Sequence, residues 1–390
     1  MNDSHSPSVA ATALSRPHPL TPSPPHLPSR RQFLRAGAAL GIGGGLTLIG
    51  HAQDAPAPAG DPSLVTADAQ SAVDRGLAYL AAAQASDGSF PDTRSMFGNV
   101  AITGLAGMAL MAGGYQPGRG KFGGAVARAA EYVADRGAAS TPPGYLNNSD
   151  ALLAHGAMYQ HGFGALFLSE VHGMVPDPAK QKRVRGVLEQ AVELTLKAQN
   201  REGGWRYEPR PNQADVSVTV AQMMALRAAR NAGLYVPKSV MDKAVGYVTA
   251  CQQPDGGFCY IKGQGFAGSA FARSAAAVVG LFSAGVYGSR AVERGLGYLM
   301  RFLPGRGQAN VTESRSEHYF YGHYYAALAM WTAGGNYWAE WFPAIRDELV
   351  AKSQTGRGGV WTDWHGAAYA TAMACIVLQL PNNYLPIMQK

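Results

Sequence analysis

Apolar residues return every three to four positions in stretches separated by glycine-rich turns, and strict apolar/polar alternation is scarce. That period predicts helices rather than strands. One set, at roughly 68–84, 122–136, 181–199, 239–252, 290–302 and 339–353, is amphipathic and carries charge clusters such as Asp74-Arg75 and Arg346-Asp347-Glu348. A second set, at roughly 98–113, 150–173, 216–233, 269–286, 318–333 and 367–379, is apolar nearly all round. A helix apolar on every face is buried on every face. The two sets alternate, so six helical hairpins, each pairing a buried helix with an amphipathic one, predict an all-α protein of two concentric rings: an (α/α)6 barrel, or α-α toroid. Closure of the ring removes the need for polar capping repeats. An open array of helical hairpins is the alternative, although such arrays usually repeat at shorter periods.

The amphipathic helices end in a recurring phrase: Gln, three residues, Gly, then Gly or Ser, then Phe or Trp. It runs from Gln84 to Phe90, Gln199 to Trp205 and Gln252 to Phe258, with a looser copy from Gln354 to Trp361 carrying one extra residue. The glutamines are 115, 53 and 102 residues apart, so the long gaps are close to twice the short one and the underlying unit is near 50 residues. A repeat of that length fits one helical hairpin. The phrase reads as a helix terminus, where glycine permits a reversal and the aromatic ring folds back on the preceding helix.

Residues 1–28 hold seven prolines and almost no charge, a composition expected to be disordered. Ser29-Arg30-Arg31-Gln32-Phe33-Leu34-Arg35, an apolar glycine-rich run over 36–50, and the small-residue site around Ala52 together resemble a bacterial twin-arginine (Tat) export signal. An uncleaved anchor is the alternative, though about 15 apolar residues is short for a span. The domain reading is therefore a disordered n-region plus signal peptide over 1–52, a linker over 53–66 and a single toroid over 67–390, exported to the periplasm or another extracytoplasmic space. The leader holds four basic residues and one acidic one, so the charge falls from +7 for the whole chain to +4 without it. No clustered Lys/Arg stripe with interleaved aromatics points to nucleic acid, while contact with a membrane surface stays open. Of the three cysteines, Cys251 and Cys259 flank the third phrase; approach across the turn is one alternative, and a pair of buried thiols is the expected state.

The Gln-to-aromatic phrase closely resembles the QW motif of squalene and oxidosqualene cyclases and the repeats of protein prenyltransferase β subunits, over about residues 65–385. The resemblance implies that Gln84, Phe90, Gln199, Trp205, Gln252, Phe258, Gln354 and Trp361 are structural staples. It also implies a hydrophobic, isoprenoid-like ligand. Class II cyclases protonate an alkene with an Asp-x-Asp-Asp-Thr stretch at the start of an inner helix. The matching stretch here is Asp215-Val216-Ser217-Val218-Thr219, with Ser217 and Val218 at the two acidic positions. Conventional squalene or hopene-type cyclisation is therefore not expected. The Asp-x-Cys zinc pair of prenyltransferases is missing from the sequence, as is the Cys-Gly-Glu-Gln stretch of thioester domains. No metal and no cofactor are expected.

In a barrel of this type the starts of the inner helices face one mouth. Polar residues gather there, and five of the six histidines beyond the leader are among them. Asp215, His161, His323, Tyr321 and Arg273 are the catalytic candidates. His155, Tyr159, Ser217, His318, Tyr324, His365 and Tyr369 are the candidate cavity lining. Plain structural roles compete: Asp215 as an N-cap, the tyrosines of His318-Tyr319-Phe320-Tyr321-Gly322-His323-Tyr324-Tyr325 as core. The favoured reading is a protein that binds or transforms an isoprenoid or other hydrophobic lipid. A carbohydrate-active (α/α)6 enzyme, a lyase or a glycosidase using Asp215, Glu317 or Asp363, is one alternative. A non-catalytic interaction scaffold is the other.

Overall fold

Twelve α-helices and no strand are found among the described residues of the computed structural model, which are 60–90, 98–148, 156–264, 268–305 and 318–389. All belong to the unit Asp54–Lys390. The Tat-like segment, the linker residues before Gly60, and the candidates His155 and Glu317 lie outside the described residues. The amphipathic helices are α1 (Ala67–Ala83), α3 (Gly123–Ala139), α5 (Pro178–Ala198), α7 (Lys238–Ala250), α9 (Arg290–Met300) and α11 (Gly335–Thr355). The apolar ones are α2 (Val100–Ala112), α4 (Ala157–Val171), α6 (Val216–Asn231), α8 (Phe271–Ser283), α10 (Tyr319–Ala333) and α12 (Ala367–Leu378).

The apolar helices pack in the order α2, α4, α6, α8, α10, α12 and back to α2, which closes the inner ring. Each amphipathic helix lies outside, against the inner helix on either side of it in the chain, and α1 spans the seam between α12 and α2. Small residues let the inner helices approach: a Cβ on Gly162 of α4 would stand 3.0 Å from the Ala221 side chain of α6. Helix ends follow local chemistry. Thr66, Asp177, Asp215 and Ser289 cap α1, α5, α6 and α9 with side-chain oxygens. Several inner helices stop a residue or more short of the expected ends because a left-handed glycine follows, as at Gly114, Gly233 and Gly285. At its N-terminus α11 starts four residues earlier than its charge pattern suggests, because Trp338, Trp341 and Phe342 bury its first turns.

Three of the phrases share one geometry. The side-chain nitrogen of Gln84 donates to Gly88 O within its own turn and to Ala125 O on α3. Gln199 does the same to Gly203 O and Val240 O on α7, and Gln252 to Gly256 O and Ala291 O on α9. Each glutamine thus ties the end of one outer helix to the start of the next. The aromatic ring that closes each phrase is wholly buried, and its backbone N–H donates to a hydroxyl on the following inner helix: Thr103, Thr219 and Ser274 for Phe90, Trp205 and Phe258. In the fourth copy Trp361 is buried and its indole donates to Leu349 O on α11.

Beyond α12 the chain crosses the end of the barrel formed by the C-termini of the inner helices. Gln379 donates to Ala109 O on α2, Trp331 of α10 to Met388 O, and Arg227 of α6 to Gln389 O. Glu170, buried near the end of α4, accepts the Ile387 N–H at 3.1 Å. Burial raises its carboxyl to about 7, with the Ile387 hydrogen bond and Arg227 opposing the rise. Ahead of α1, within the segment expected as a linker, Pro62–Leu64 form a 3-10 turn whose Leu64 carbonyl is held by Arg346.

The raised Glu170 carboxyl predicts a pH effect. The folded chain holds a proton there that the unfolded chain releases above its ordinary value of 4.5, so this group's favourable share is full below pH 4.5 and is lost as pH rises through about 7. The loss is roughly 3 kcal/mol. Glu170→Gln is expected to remove this part of the pH dependence. Melting temperatures of wild type and variant at pH 5 and pH 9 test it: an unchanged gap between the two proteins at both values refutes the assignment.

Candidate functional site

The other mouth is built from the starts of the inner helices and the turns before them. Asp215 is placed by two turns at once. Its N–H donates to Trp205 O, and the next residue, Val216, donates to Tyr260 O. Its Oδ1 accepts the Val218 N–H at 2.8 Å, which caps α6, while Oδ2 is buried and accepts no hydrogen bond. Burial lifts the carboxyl from 3.8 to about 7, opposed first by the Val218 N–H and then by Arg206 and the nearby Tyr260 hydroxyl. Asp215 is therefore an N-cap with a second oxygen to spare.

Around it stand phenols. The Tyr159 and Tyr321 hydroxyls both lie near Ser217, and the field of Asp215 adds to burial in suppressing their ionisation. Tyr321 and Tyr325 lie on one face of α10 with ring centroids 4.7 Å apart and planes tilted by 59°. Tyr369 of α12 lies close enough to Tyr321, Tyr324 and Asp363 for each to raise it further, after burial. On that side Asp363 Oδ1 accepts the N–H groups of His365 and Gly366, while its Oδ2 stands 3.6 Å from His365 Nδ1, too long for a hydrogen bond. Trp364, exposed to solvent, His365 and Tyr369 form a ladder of rings spaced 4.3 and 4.7 Å. Below this level the buried rings of Phe163 on α4 and Tyr324 on α10 meet across the inner ring, centroids 6.4 Å apart.

Five buried polar atoms along this line, Asp215 Oδ2, Tyr321 OH, Tyr325 OH, Asp363 Oδ2 and His365 Nδ1, have no hydrogen-bond partner among the described residues. Each such group costs about 1–3 kcal/mol when left unmatched. Other atoms of the same kind, among them His323 Nδ1, Trp338 Nε1 and Trp341 Nε1, lie in the outer layer on or against α11. Among the described residues no group of three His, Cys, Asp or Glu is arranged to hold a metal.

The structure brings Asp215, Ser217, Tyr159, Tyr321, Tyr324, His365 and Tyr369 into one neighbourhood. Arg273 lies at its rim over the Tyr260 ring, 5.8 Å from the centroid. His318 is exposed at the start of α10 rather than lining the cavity. Two catalytic candidates stand apart from this group. His161 accepts the Leu146 N–H at Nδ1, and its Nε2 meets Thr195 Oγ1 and Ala191 O of α5, so both nitrogens are engaged in the outer layer. Burial lowers it to about 4, which keeps it neutral. His323 also faces outward, against Tyr319, Phe271 and Trp341, and burial followed by Lys352 lowers it to about 3. The cause is helical geometry. Two residues turn about 200°, so when Tyr159 and Tyr321 face the bore, His161 and His323 face away.

Arg206, Tyr207 and Tyr260 are further residues of the site. Tyr207 and Tyr260 join hydroxyl to hydroxyl beside Asp215, and each stands two places after the aromatic that closes its phrase. Asp363 holds the same place after Trp361. The repeat itself carried that signal.

Comparison with known proteins agrees with this architecture. Residues 170–333 match the model of the squalene-hopene cyclase C-terminal domain. No curated protein matches the chain. Among solved structures, the apo type II terpene cyclase MstE from Scytonema is similar at TM-score 0.53 and 12% identity, covering 82% of this chain and 100% of that one. A variant of the same enzyme, in complex with its substrate geranylgeranyl dihydroxybenzoate, is similar at TM-score 0.53 and 11% identity, covering 83% and 99%. The chain thus shares the α-α toroid of a type II terpene cyclase, and its residues 170–333 are similar to the squalene-hopene cyclase C-terminal domain. At this level of identity the likeness speaks for the toroid alone, and the chemistry has to come from the site.

Proposed function

We propose that this toroid binds or transforms an isoprenoid or similar hydrophobic molecule that carries a polar group. The observation that carries the reading is the line of unmatched polar atoms from Asp215 to His365 above the buried rings of Phe163 and Tyr324. A ligand with a hydrogen-bonding head and an apolar tail satisfies both halves, the head against Asp215, Tyr321 and Asp363, the tail against rings such as Phe163 and Tyr324. That the structural relative takes a prenylated dihydroxybenzoate lends support. With Ser217 and Val218 at the positions of the cyclase acids, the carboxyl of the stretch is Asp215, whose value of about 7 makes it a weak acid. Such an acid suits proton transfer to or from oxygen, not to an unactivated alkene. Phe163, Tyr324 and Tyr325 would supply π-faces to any developing positive charge.

Mass spectrometry of organic extracts of the purified protein tests the reading. A prenyl-containing species bearing a hydroxyl or comparable head is expected. Oligosaccharide binding without any lipid would turn the assignment to the carbohydrate-active alternative, and an empty protein that binds no prenyl alcohol on titration would leave the scaffold reading. We further propose Tat-dependent export with cleavage after Ala52. The mature protein is expected outside the cytoplasm with Gln53 at its N-terminus, and changing Arg30 and Arg31 together to lysine is expected to hold it inside. Unaltered export of that double variant would refute the Tat route.

A further inference from the structure

The third phrase differs from its siblings at two positions at once. The residue before the glutamine is Ala83, Ala198 and Ser353 in the other copies and Cys251 here. The residue after the closing aromatic is Pro91, Arg206 and Thr362 in the others and Cys259 here. A chain with only three cysteines has placed two of them at the paired positions of a single turn.

In the fold these positions face each other. Gln252 and Phe258 form an antiparallel bridge, and one step outward the Cys259 N–H donates to Cys251 O at 2.9 Å. Only one bond of the pair is made, since the Cys251 N–H turns back to Val248 O; directly opposed antiparallel residues have Cα atoms about 4.5–5.5 Å apart, within the range a disulfide spans. The Cys259 thiol donates to Ile261 O at 3.2 Å and lies close enough to Cys251 to add to the burial that raises the Cys251 thiol to about 12, and both residues are buried free thiols. Cys375 is not a competitor: it lies on α12 against Gly76 of α1, in another sector of the ring.

We propose that Cys251 and Cys259 are a disulfide-forming pair that staples the third turn under oxidising conditions. The reaction is thiol–disulfide exchange with a small disulfide such as oxidised glutathione. The Cys251 thiolate attacks one donor sulfur, the donor S–S bond breaks, and one glutathione thiolate leaves. The Cys259 thiolate then attacks the Cys251 sulfur of the mixed disulfide and expels the second glutathione thiolate. The cysteines lose two electrons and two protons, and the donor becomes two thiols. Because the pair is buried, exchange takes place during folding or when the turn opens.

The staple bears on the mouth of the barrel. Cys259 is followed by Tyr260, whose carbonyl accepts the first N–H of α6 and whose hydroxyl meets Tyr207 beside Asp215. Closing the pair fixes the segment that holds this edge of the site, whatever ligand the site takes.

The test uses the full chain exposed to oxidised glutathione, both native and transiently opened in mild urea, then denatured and alkylated. Trypsin leaves both cysteines in one peptide, residues 244–262. That peptide is expected unalkylated and lighter by two hydrogens, with Cys375 alkylated. Two alkyl groups on the peptide under both conditions would overturn the proposal. In Cys259→Ala the loss of two hydrogens is expected to disappear from the whole protein; its persistence would show Cys251 pairing with Cys375 and overturn the assignment equally. A rise of a few degrees in melting temperature on oxidation is expected in wild type and is absent from the variant.

Discussion

Gly203→Ala is expected to destabilise the protein by about 3–5 kcal/mol, while Gly233→Ala costs only about 1 kcal/mol. Both glycines sit in the left-handed region, at φ 93 and φ 84, so both substitutions carry the same conformational cost. They differ in what the new methyl meets. At Gly233 nothing lies within 4 Å, whereas at Gly203 the Cβ would stand 2.4 Å from Lys243 O on α7. That oxygen belongs to helical backbone and cannot swing aside. The turn must lift off α7 instead, which strains the Gln199 bond to Val240 O and the seating of Trp205. Denaturant titration of the two variants decides the matter. Equal losses would mean that the phrase is merely a left-handed turn and not a clamp between outer helices.

The clamp was readable because the sequence repeats it. Four copies of one phrase at multiples of a near-constant spacing, each closing an amphipathic run, leave few architectures other than stacked helical hairpins, and buried inner helices require the hairpins to surround one another. What the phrase could not convey was its direction of pull. Gln84, Gln199 and Gln252 each reach some 40 residues ahead to a carbonyl in the first turns of the next outer helix, a contact with no local signature.

The site was legible in its residue types and only partly in their facing. Placing Asp215, Ser217, Tyr321 and Tyr369 at one mouth needs only the knowledge that inner helices start there. His161 and His323 were drawn in by their chemistry, although each is two residues from a tyrosine that faces the bore. The face an inner helix presents inward cannot be told from hydrophobicity when every face is apolar. A bulky residue repeated at i and i+4, as at Tyr159 and Phe163 or Tyr321 and Tyr325, was the better guide. Glu170 was invisible for another reason: its partner, the Ile387 N–H, lies 217 residues away in the chain, in the C-terminal segment that crosses the same end of the barrel.

Asp215→Asn is expected to leave the fold intact and change what the barrel does. Asparagine caps a helix about as well as aspartate, and its Oδ1 keeps the bond from Val218, so stability below pH 4 is expected to stay within about 1 kcal/mol. At higher pH the variant gains. Wild type holds a proton on Asp215 that the unfolded chain releases above 3.8, and as pH rises through about 7 it must bury the charge at roughly 4 kcal/mol, a cost asparagine escapes. Function is expected to move the other way. If Asp215 donates or accepts a proton, as its spare oxygen beside Tyr260 and Tyr321 suits it to do, its replacement removes about 10²–10⁴-fold in rate. Lipid extracted from the variant then differs from that of wild type, being substrate in place of product. Recovery of the same lipid from both proteins, together with parallel stability curves from pH 4 to pH 9, would reduce Asp215 to the cap that it also is.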